Sequence, residues 1–136
     1  MDFVLEVEQV CRARLASKLL SRGRIPTGCG VLDAALGGGF GRGMLTELFG
    51  GPASGRTQAA LSACATAVSA GAAAVYVDAD GSFLPERARE LVDARRPPEL
   101  NVCELSNPWI ELALDRWLLY RVCSFDELAA GFAHVV

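Results

Sequence analysis

The sequence contains one histidine, His134, and none of its five cysteines belongs to a CxxC pair. Structural zinc sites draw their ligands from closely spaced cysteines and histidines, so we expect no zinc site. The cysteines are Cys11, Cys29, Cys64, Cys103 and Cys123. Their odd number, and an acidic N-terminal segment "MDFVLEVEQV" that differs from a secretory leader, predict reduced thiols in a cytosolic or nuclear protein.

Long hydrophobic runs and an excess of positive charge are also lacking. The most apolar stretch, residues 59–77, is alanine-rich and interrupted by Gly71, so it predicts a helix, a turn and a strand rather than a membrane span. Thirteen basic residues face sixteen acidic ones, which gives a net charge of −3. This balance argues against a protein that binds DNA alone through its phosphates. Because the N-terminal segment does not resemble a membrane anchor and no membrane span is predicted, we expect no membrane contact.

The chain has 136 residues, of which 51% are hydrophobic, enough for one small domain with its own core. Residues 2–21 carry an apolar side chain at every fourth position and predict an amphipathic helix. This helix could pack on its own domain or link to a preceding one. We therefore divide the chain into an N-terminal or linker helix, 1–24, and a domain over 25–136 whose first part, through residue 43, is rich in turns.

The pattern after residue 43 is that of an α/β domain. It predicts a strand over 44–49, a helix over 57–70, a strand over 72–80 and a helix that starts at Pro85 and ends near Arg96. Asn107 is an N-cap candidate for a helix within 106–120, followed by a strand over 121–125 and a last helix from 126. Strand, loop, helix and strand in this order predict a mostly parallel sheet with flanking helices.

The loop "FGGPASGRTQ", residues 49–58, has the spacing of a phosphate-binding loop. Glycines at both ends let the backbone N–H groups approach a phosphate chain closely, and the following helix presents its positive end. The predicted ATP-binding residues are Gly50, Gly51, Pro52, Ala53, Ser54, Gly55, Arg56, Thr57 and Gln58. The Thr57 hydroxyl is the predicted Mg²⁺ ligand. The alternative is a simple glycine-rich turn.

Arg56 stands where the phosphate-loop pattern has lysine. Arginine keeps the positive charge, but its guanidinium is longer, planar and forked, whereas the lysine enters the loop as a compact point charge. We therefore expect nucleotide binding to be weakened and hydrolysis to be weakened further.

With the loop and its flanks, the sequence resembles the RecA-like recombinase family, in particular the eukaryotic and archaeal strand-exchange recombinases and their paralogs. The resemblance lies in "PTGCGVLDAALGGGFGRGMLTELFGGPASGRTQ" and continues in "AVYVDADGSFLPERARELV", so it covers residues 25 to about 95. Among the paralogs, the chain is most similar to the one lettered D, because "RVCSFDELAAGF" resembles that paralog's third strand and following helix. The resemblance implies a P-loop ATPase core, incomplete at its C-terminus.

The resemblance also implies a catalytic carboxylate. In the family, an acidic residue after the second core strand polarises the water that attacks the γ-phosphate, and Asp80 holds that position here. The recombinases usually have glutamate there, which is one methylene longer. Alternatively, Asp78 and Asp80 cap the turn and helix that follow.

Several family features have no counterpart in this chain. The sequence stops before the family's Walker B strand and its two DNA-contacting loops, so the resemblance implies at most a weak DNA-dependent ATPase. Residues 97–120, with Trp109 and Trp117, find no clear counterpart, and this predicted helix could pack locally or face a partner.

Three functions are compatible with these observations. The first is an ATP-binding protein of homologous-recombination DNA repair in the nucleus, in a hetero-oligomer with other recombinase paralogs and with DNA contacted through that complex. The second is an interaction module that keeps the loop's shape and needs no nucleotide. The third is a truncated product of a longer gene with little stability of its own.

Overall fold

The structure, a computed structural model, describes residues 23–100 and 107–135, with residues 132–135 described as backbone only. It divides into two compact units, Met1–Ser54 and Gly55–Val136. The helix predicted over residues 2–21 lies outside the described residues.

The described part of the first unit is mostly turns, as its glycines predict, with a short antiparallel pair at its centre. Strand β1, Arg24–Ile25, pairs with β2, Phe40–Gly41, and helix α1, Gly30–Ala35, lies between them in sequence. Gly39 allows this pairing because it has a φ of +112° and lies directly against the backbone of Ile25. A Cβ there would come within 2.8 Å of the Pro26 Cα, so no larger residue fits without moving the chain.

A buried threonine fixes the start of α1. Thr27 is 1% exposed, and its N–H donates to the Asp33 carboxylate at 2.7 Å. Its hydroxyl oxygen accepts from the Cys29 N–H at 3.2 Å. These bonds give a structural role to the "TGCGVLD" part of the motif. The backbone hydrogen bond from Thr27, and then that from its side chain, lower the pKa of Asp33.

We expect Asp33→Asn to reduce the acid sensitivity of the first unit. A lowered pKa in the folded state means that Asp33 contributes stability above its unfolded pKa of about 3.9, and that this contribution is lost as pH falls through the lowered value. Thermal melts across acidic pH should therefore show the melting temperature of the wild type approaching that of the variant as pH falls. Glu47→Gln, at an exposed acid of the same unit, is the control. Equal pH dependence in wild type and Asp33→Asn would contradict the prediction.

The prediction of a strand over residues 44–49 is wrong. Residues 44–50 have no regular structure, and the side chains of Leu45 and Phe49 are 99% and 89% exposed. A strand exists only when a neighbouring strand completes its hydrogen bonds, and among the described residues no backbone bond reaches Leu45 through Gly50. The segment has the hydrophobicity of a buried strand but lacks a partner strand.

The second unit contains a parallel pair of strands covered by helices. Helix α2, Arg56–Ser69, leads into β3, Ala74–Asp78, and helix α3, Pro85–Asp93, follows. These elements confirm the predicted helix, strand and Pro85 helix start. A 3₁₀ turn over Pro98–Leu100, helix α4 over Pro108–Leu114, strand β4 over Trp117–Arg121 and helix α5 over Phe125–Val135 complete the unit. Strand β4 pairs in parallel with β3, from Ala74 opposite Trp117 to Asp78 opposite Arg121.

The predicted boundary between the fourth helix and the last strand is wrong by several residues. Asn107 is the N-cap of α4, as expected, and its side chain accepts from the Trp109 N–H at 3.0 Å. The helix ends at Leu114, and the strand begins at Trp117 instead of residue 121. The apolar run "WLLY" fits a helix or a strand equally well, and it forms a strand because it pairs with β3.

The core of the second unit lies between the helices and one face of the β3–β4 pair. Phe83 connects two aromatic rings, with its centroid 5.2 Å from that of Tyr76 and 5.8 Å from that of Trp117. Helix α4 packs locally through Ile110 and Ala113, which is one of the two alternatives expected for it. The buried residues are Leu61, Ala65, Val68, Phe83, Ala88, Val92, Ile110, Ala113 and Trp117.

We expect Cys64 to react far more slowly with alkylating reagents than the exposed Cys29 and Cys123. Burial raises the pKa of the Cys64 thiol to about 11, which removes the reactive thiolate at neutral pH, and packing blocks access. Timed iodoacetamide labelling followed by peptide mass spectrometry should show at least about 100-fold slower modification of Cys64 at mildly alkaline pH. In urea the rates should converge. Equal native rates would contradict the described packing of α2.

Candidate nucleotide-binding site

The loop before α2 is an exposed, tightly turned segment. Ser54 donates its N–H to the Gly51 carbonyl at 3.3 Å, and Ala53 in this turn has a positive φ of 59°. A Cβ at Gly50 would lie 2.7 Å from the Ser54 Oγ, so a larger residue there would make this exposed side chain rotate away. Gly55 has a φ of +86°, which favours glycine, and residues 51–56 are all exposed. The backbone conformation therefore favours glycine at position 55, whereas Gly50 only makes a close approach to the Ser54 side chain.

Helix α2 presents an open, positive N-terminus. It is 14 residues long, has no acidic residue in its first turn and has Gly55 as an N-cap without a side-chain hydrogen bond. Its first intrahelical bond runs from the Ala59 N–H to the Gly55 carbonyl at 2.9 Å. The N–H groups of Arg56, Thr57 and Gln58 thus have no partner within the helix, and they can donate to an anion.

The side chains of the first turn differ in how they are held. Arg56 is exposed, and its guanidinium makes no hydrogen bond or ion pair with residues that the structure describes. The half-buried Thr57 hydroxyl is likewise unbonded within residues 23–100 and 107–135. Gln58 is fixed, because its Oε1 accepts from the Arg87 Nε at 2.9 Å. Of the two flanks predicted for the loop, the helix is confirmed and the strand is wrong.

Asp78 closes the turn after β3. Its side chain is wholly buried, with Oδ1 accepting from the Ser82 N–H at 3.1 Å and Oδ2 accepting from the Phe83 N–H at 3.3 Å. The Arg121 Nε lies 3.4 Å from the same Oδ2. With these bonds Asp78 caps the turn, as the alternative interpretation of Asp78 and Asp80 expects.

Asp80 is exposed beside that turn. Its Oδ1 accepts from the Ser82 N–H at 3.0 Å, and hydrogen bonds from the Ser82 side chain and then its backbone lower the pKa of Asp80. The carboxylate is therefore charged at neutral pH and also helps to cap the turn. Its catalytic role stays a prediction.

Two arginines of this region were missed from the sequence. Arg121 lies next to Asp78 because the parallel register pairs these two residues, and the misplaced strand boundary hid that pairing. Arg87 reaches Gln58 across 29 positions in sequence, and no local pattern indicates such a contact. A correct register for β4 would have revealed the first contact, but not the second.

The described residues contain neither a metal-binding cluster nor a membrane-spanning helix. Within 23–100 and 107–135, no three His, Cys, Asp or Glu side chains come together as a metal site would require. A Mg²⁺ ion at the loop would therefore depend on the Thr57 hydroxyl together with phosphate oxygens. None of the helices in these ranges has the length and apolarity to cross a membrane.

Comparison with known proteins identifies relatives of the loop and its flanks. Residues 13–96 match the family model of the RecA N-terminal domain, which is more than half of the chain. The DNA repair and recombination protein RadB of Halobacterium salinarum is 51% identical over 71 residues, 52% of this chain and 30% of that protein. RadB of Thermococcus kodakarensis is 38% identical over 103 residues, 76% of this chain and 40% of that protein. Protein RecA of Nocardia farcinica is 47% identical over 68 residues, 49% of this chain and 20% of that protein.

These matches confirm the predicted RecA-like α/β fold, with its parallel strand pair and flanking helices. The chain spans less than half the length of each of these three relatives. What the relatives do as whole proteins is therefore not carried over with the fold.

Proposed function

The chain belongs to the RecA family, and from that membership we propose that it acts in DNA repair by homologous recombination as an ATP-binding recombinase paralog. The names of the RadB relatives, DNA repair and recombination proteins, support this role. The observation that carries the ATP-binding part is the glycine-bounded turn that leads directly into the open N-terminus of α2.

The residues present fit a nucleotide's phosphates. The positive φ of Gly55 turns the chain into α2, and the free first-turn N–H groups together with exposed Arg56 supply positive charge without an acidic neighbour in the helix's first turn. Residues Gly50 to Gln58 would hold the triphosphate, and Thr57 would ligate Mg²⁺. When bound, MgATP supplies a transferable phosphoryl group. The exposed, charged Asp80 is the proposed group for orienting an attacking water.

We propose that the protein works in a complex with other recombinase paralogs and reaches DNA through that complex. The apolar side chains of Val75, Val77 and Leu118 share one face of the β3–β4 pair and are 37%, 37% and 49% exposed. An exposed apolar face of this kind favours a partner protein that covers it. The similarity to the paralog lettered D and a nuclear location belong to this proposal. The RadB relatives are archaeal and give no support to a nuclear location. That part of the proposal rests on the resemblance to eukaryotic recombinases.

A second candidate function is an interaction module that needs no nucleotide. The observation favouring it is the same exposed face, together with Arg56 in place of the phosphate-binding lysine. In that case the loop would contribute shape alone, and its charge would not matter for function.

Arg56→Ala separates the two candidates. Arg56 makes no bond with the described residues, so the variant should fold like the wild type, which circular dichroism can verify. Isothermal titration should give micromolar, Mg²⁺-dependent ATP binding by the wild type, and the variant should lose most of it.

Cells lacking the protein should be sensitive to ionising radiation, and the wild-type gene should restore survival.

If the proposal is right, Arg56→Ala should fail to restore survival. Full rescue by a variant that no longer binds ATP would favour the interaction module. Normal radiation resistance of the cells lacking the protein would contradict the role in DNA repair altogether.

A further inference from the structure

The turn after β3 contains two carboxylates that share one hydrogen-bond donor. The Ser82 N–H lies 3.1 Å from the Asp78 Oδ1 and 3.0 Å from the Asp80 Oδ1. Gly81, with a φ of +72°, reverses the chain just before Ser82 and so brings both carboxylates to the same amide. Asp78 is buried, whereas Asp80 is exposed. The position of the Ser82 amide therefore limits the directions in which the exposed Asp80 carboxylate can point.

The buried carboxylate connects this amide to the core of the second unit. The Asp78 Oδ2 accepts from the Phe83 N–H at 3.3 Å, next to the bond that Oδ1 makes with Ser82. The Phe83 ring is buried and packs edge-on against Trp117, which fixes this end of the turn. Displacement of the Asp78 side chain would thus release the donor that Asp80 uses.

Strand β4 holds Asp78 at two points. The Val122 N–H donates to the Asp78 carbonyl at 3.1 Å, and the Arg121 Nε lies 3.4 Å from the Asp78 Oδ2. The first contact is a backbone bond, whereas the second depends on the Arg121 side chain. Removing the cation beside a buried carboxylate leaves its charge uncompensated, so water should enter and the turn should loosen.

We propose that Arg121 is a positioning residue that acts through Asp78 to hold the Asp80 carboxylate in one orientation. This inference rests on the proposed role of Asp80 in orienting the water that attacks MgATP. Arg121 touches neither the nucleotide nor that water in this proposal. A carboxylate can orient a water only from a narrow range of directions, so a loosened turn should slow hydrolysis without weakening ATP binding.

The three-bond Hα–Hβ couplings of Asp80, measured by NMR without nucleotide, test the positioning role directly. They should report one dominant χ1 rotamer in the wild type and approach rotamer-averaged values in Arg121→Gln. Exchange of the Ser82 amide should become severalfold faster in the same variant. The matched control is Arg96→Gln, because the Arg96 Nε lies 3.3 Å from a carboxylate oxygen of Asp93, which is exposed. Unchanged couplings in Arg121→Gln, or averaged couplings already in the wild type, would overturn the inference.

Single-turnover ATP hydrolysis by the full chain, with Mg²⁺ and DNA present, completes the test. Arg121→Gln should hydrolyse ATP roughly tenfold more slowly than the wild type, with unchanged ATP affinity. In the Asp80→Ala background the same substitution should cause no further loss, because its effect passes through that carboxylate.

The remaining outcomes separate this inference from the proposed function. If the losses from Arg121→Gln and Asp80→Ala multiply, or if Arg121→Gln lowers only the affinity, the inference is wrong while the ATP-binding proposal stands. If the wild type binds ATP without hydrolysing it, the proposed role of Asp80 and this inference fail together. If the wild type binds no ATP, the proposed nucleotide site fails as well.

Discussion

Asp78→Ala should lower the free energy of unfolding of the second unit by about 3 kcal/mol. The Asp78 carboxylate is wholly buried and accepts from the N–H groups of Ser82 and Phe83, while Arg121 lies 3.4 Å away. Alanine leaves the Phe83 N–H buried without its carboxylate partner and removes the charge beside Arg121. Urea unfolding followed by tryptophan fluorescence is the suitable measurement, because Trp117 packs edge-on against Phe83.

Asp80→Ala is the matched control for this substitution. Asp80 shares the Ser82 N–H with Asp78 but is exposed, so water can replace it. Its loss should lower the free energy of unfolding far less than the loss of Asp78 does. Equal losses for the two variants would mean that the turn does not depend on the buried carboxylate.

Arg56→Lys should strengthen MgATP binding by about tenfold or more, which corresponds to about 1.4 kcal/mol. A lysine ammonium is compact enough to enter the loop as a point charge between phosphates, whereas the planar guanidinium has to bind from farther out. Arg56 makes no bond with the described residues, so the substitution breaks no contact that the structure shows. Isothermal titration of wild type and variant under the same Mg²⁺ concentration measures the difference.

Arg42→Lys is the control, since Arg42 is an exposed arginine in the turn that follows β2. It should leave ATP affinity unchanged. Weaker binding by Arg56→Lys than by the wild type would show that the guanidinium fork, rather than a point charge, fits this loop. The expectation of a weakened site in the wild type would then be wrong.

The elements predicted well from sequence are those that local chemistry determines. Helix α2 follows glycine and runs through alanine-rich sequence, α3 begins at Pro85, and α4 begins behind the Asn107 cap. The failures are strands. Residues 44–49 have a strand's hydrophobicity but no partner among the described residues, and "WLLY" becomes a strand only through its register with β3. Pairing is a property of distant segments, so a local pattern cannot reveal it.

The same division applies to the candidate site. Gly50 to Gln58 are contiguous, so their spacing alone identified the loop. The contacts that support it join distant residues: Arg87 with Gln58, and Asp78 with Arg121. These contacts depend on how α3 packs on α2 and on the register of β4, neither of which the sequence patterns determine.

The central claim is that the backbone between Gly50 and Gln58 receives a nucleotide's phosphates. Titrating isotope-labelled protein with MgATP, and separately with adenosine and Mg²⁺, while following amide chemical shifts by NMR tests it most directly. We predict large shifts of the Gly51–Gln58 amides with MgATP and almost none with adenosine. Unmoved loop amides under saturating MgATP, or equal shifts with adenosine, would contradict the claim.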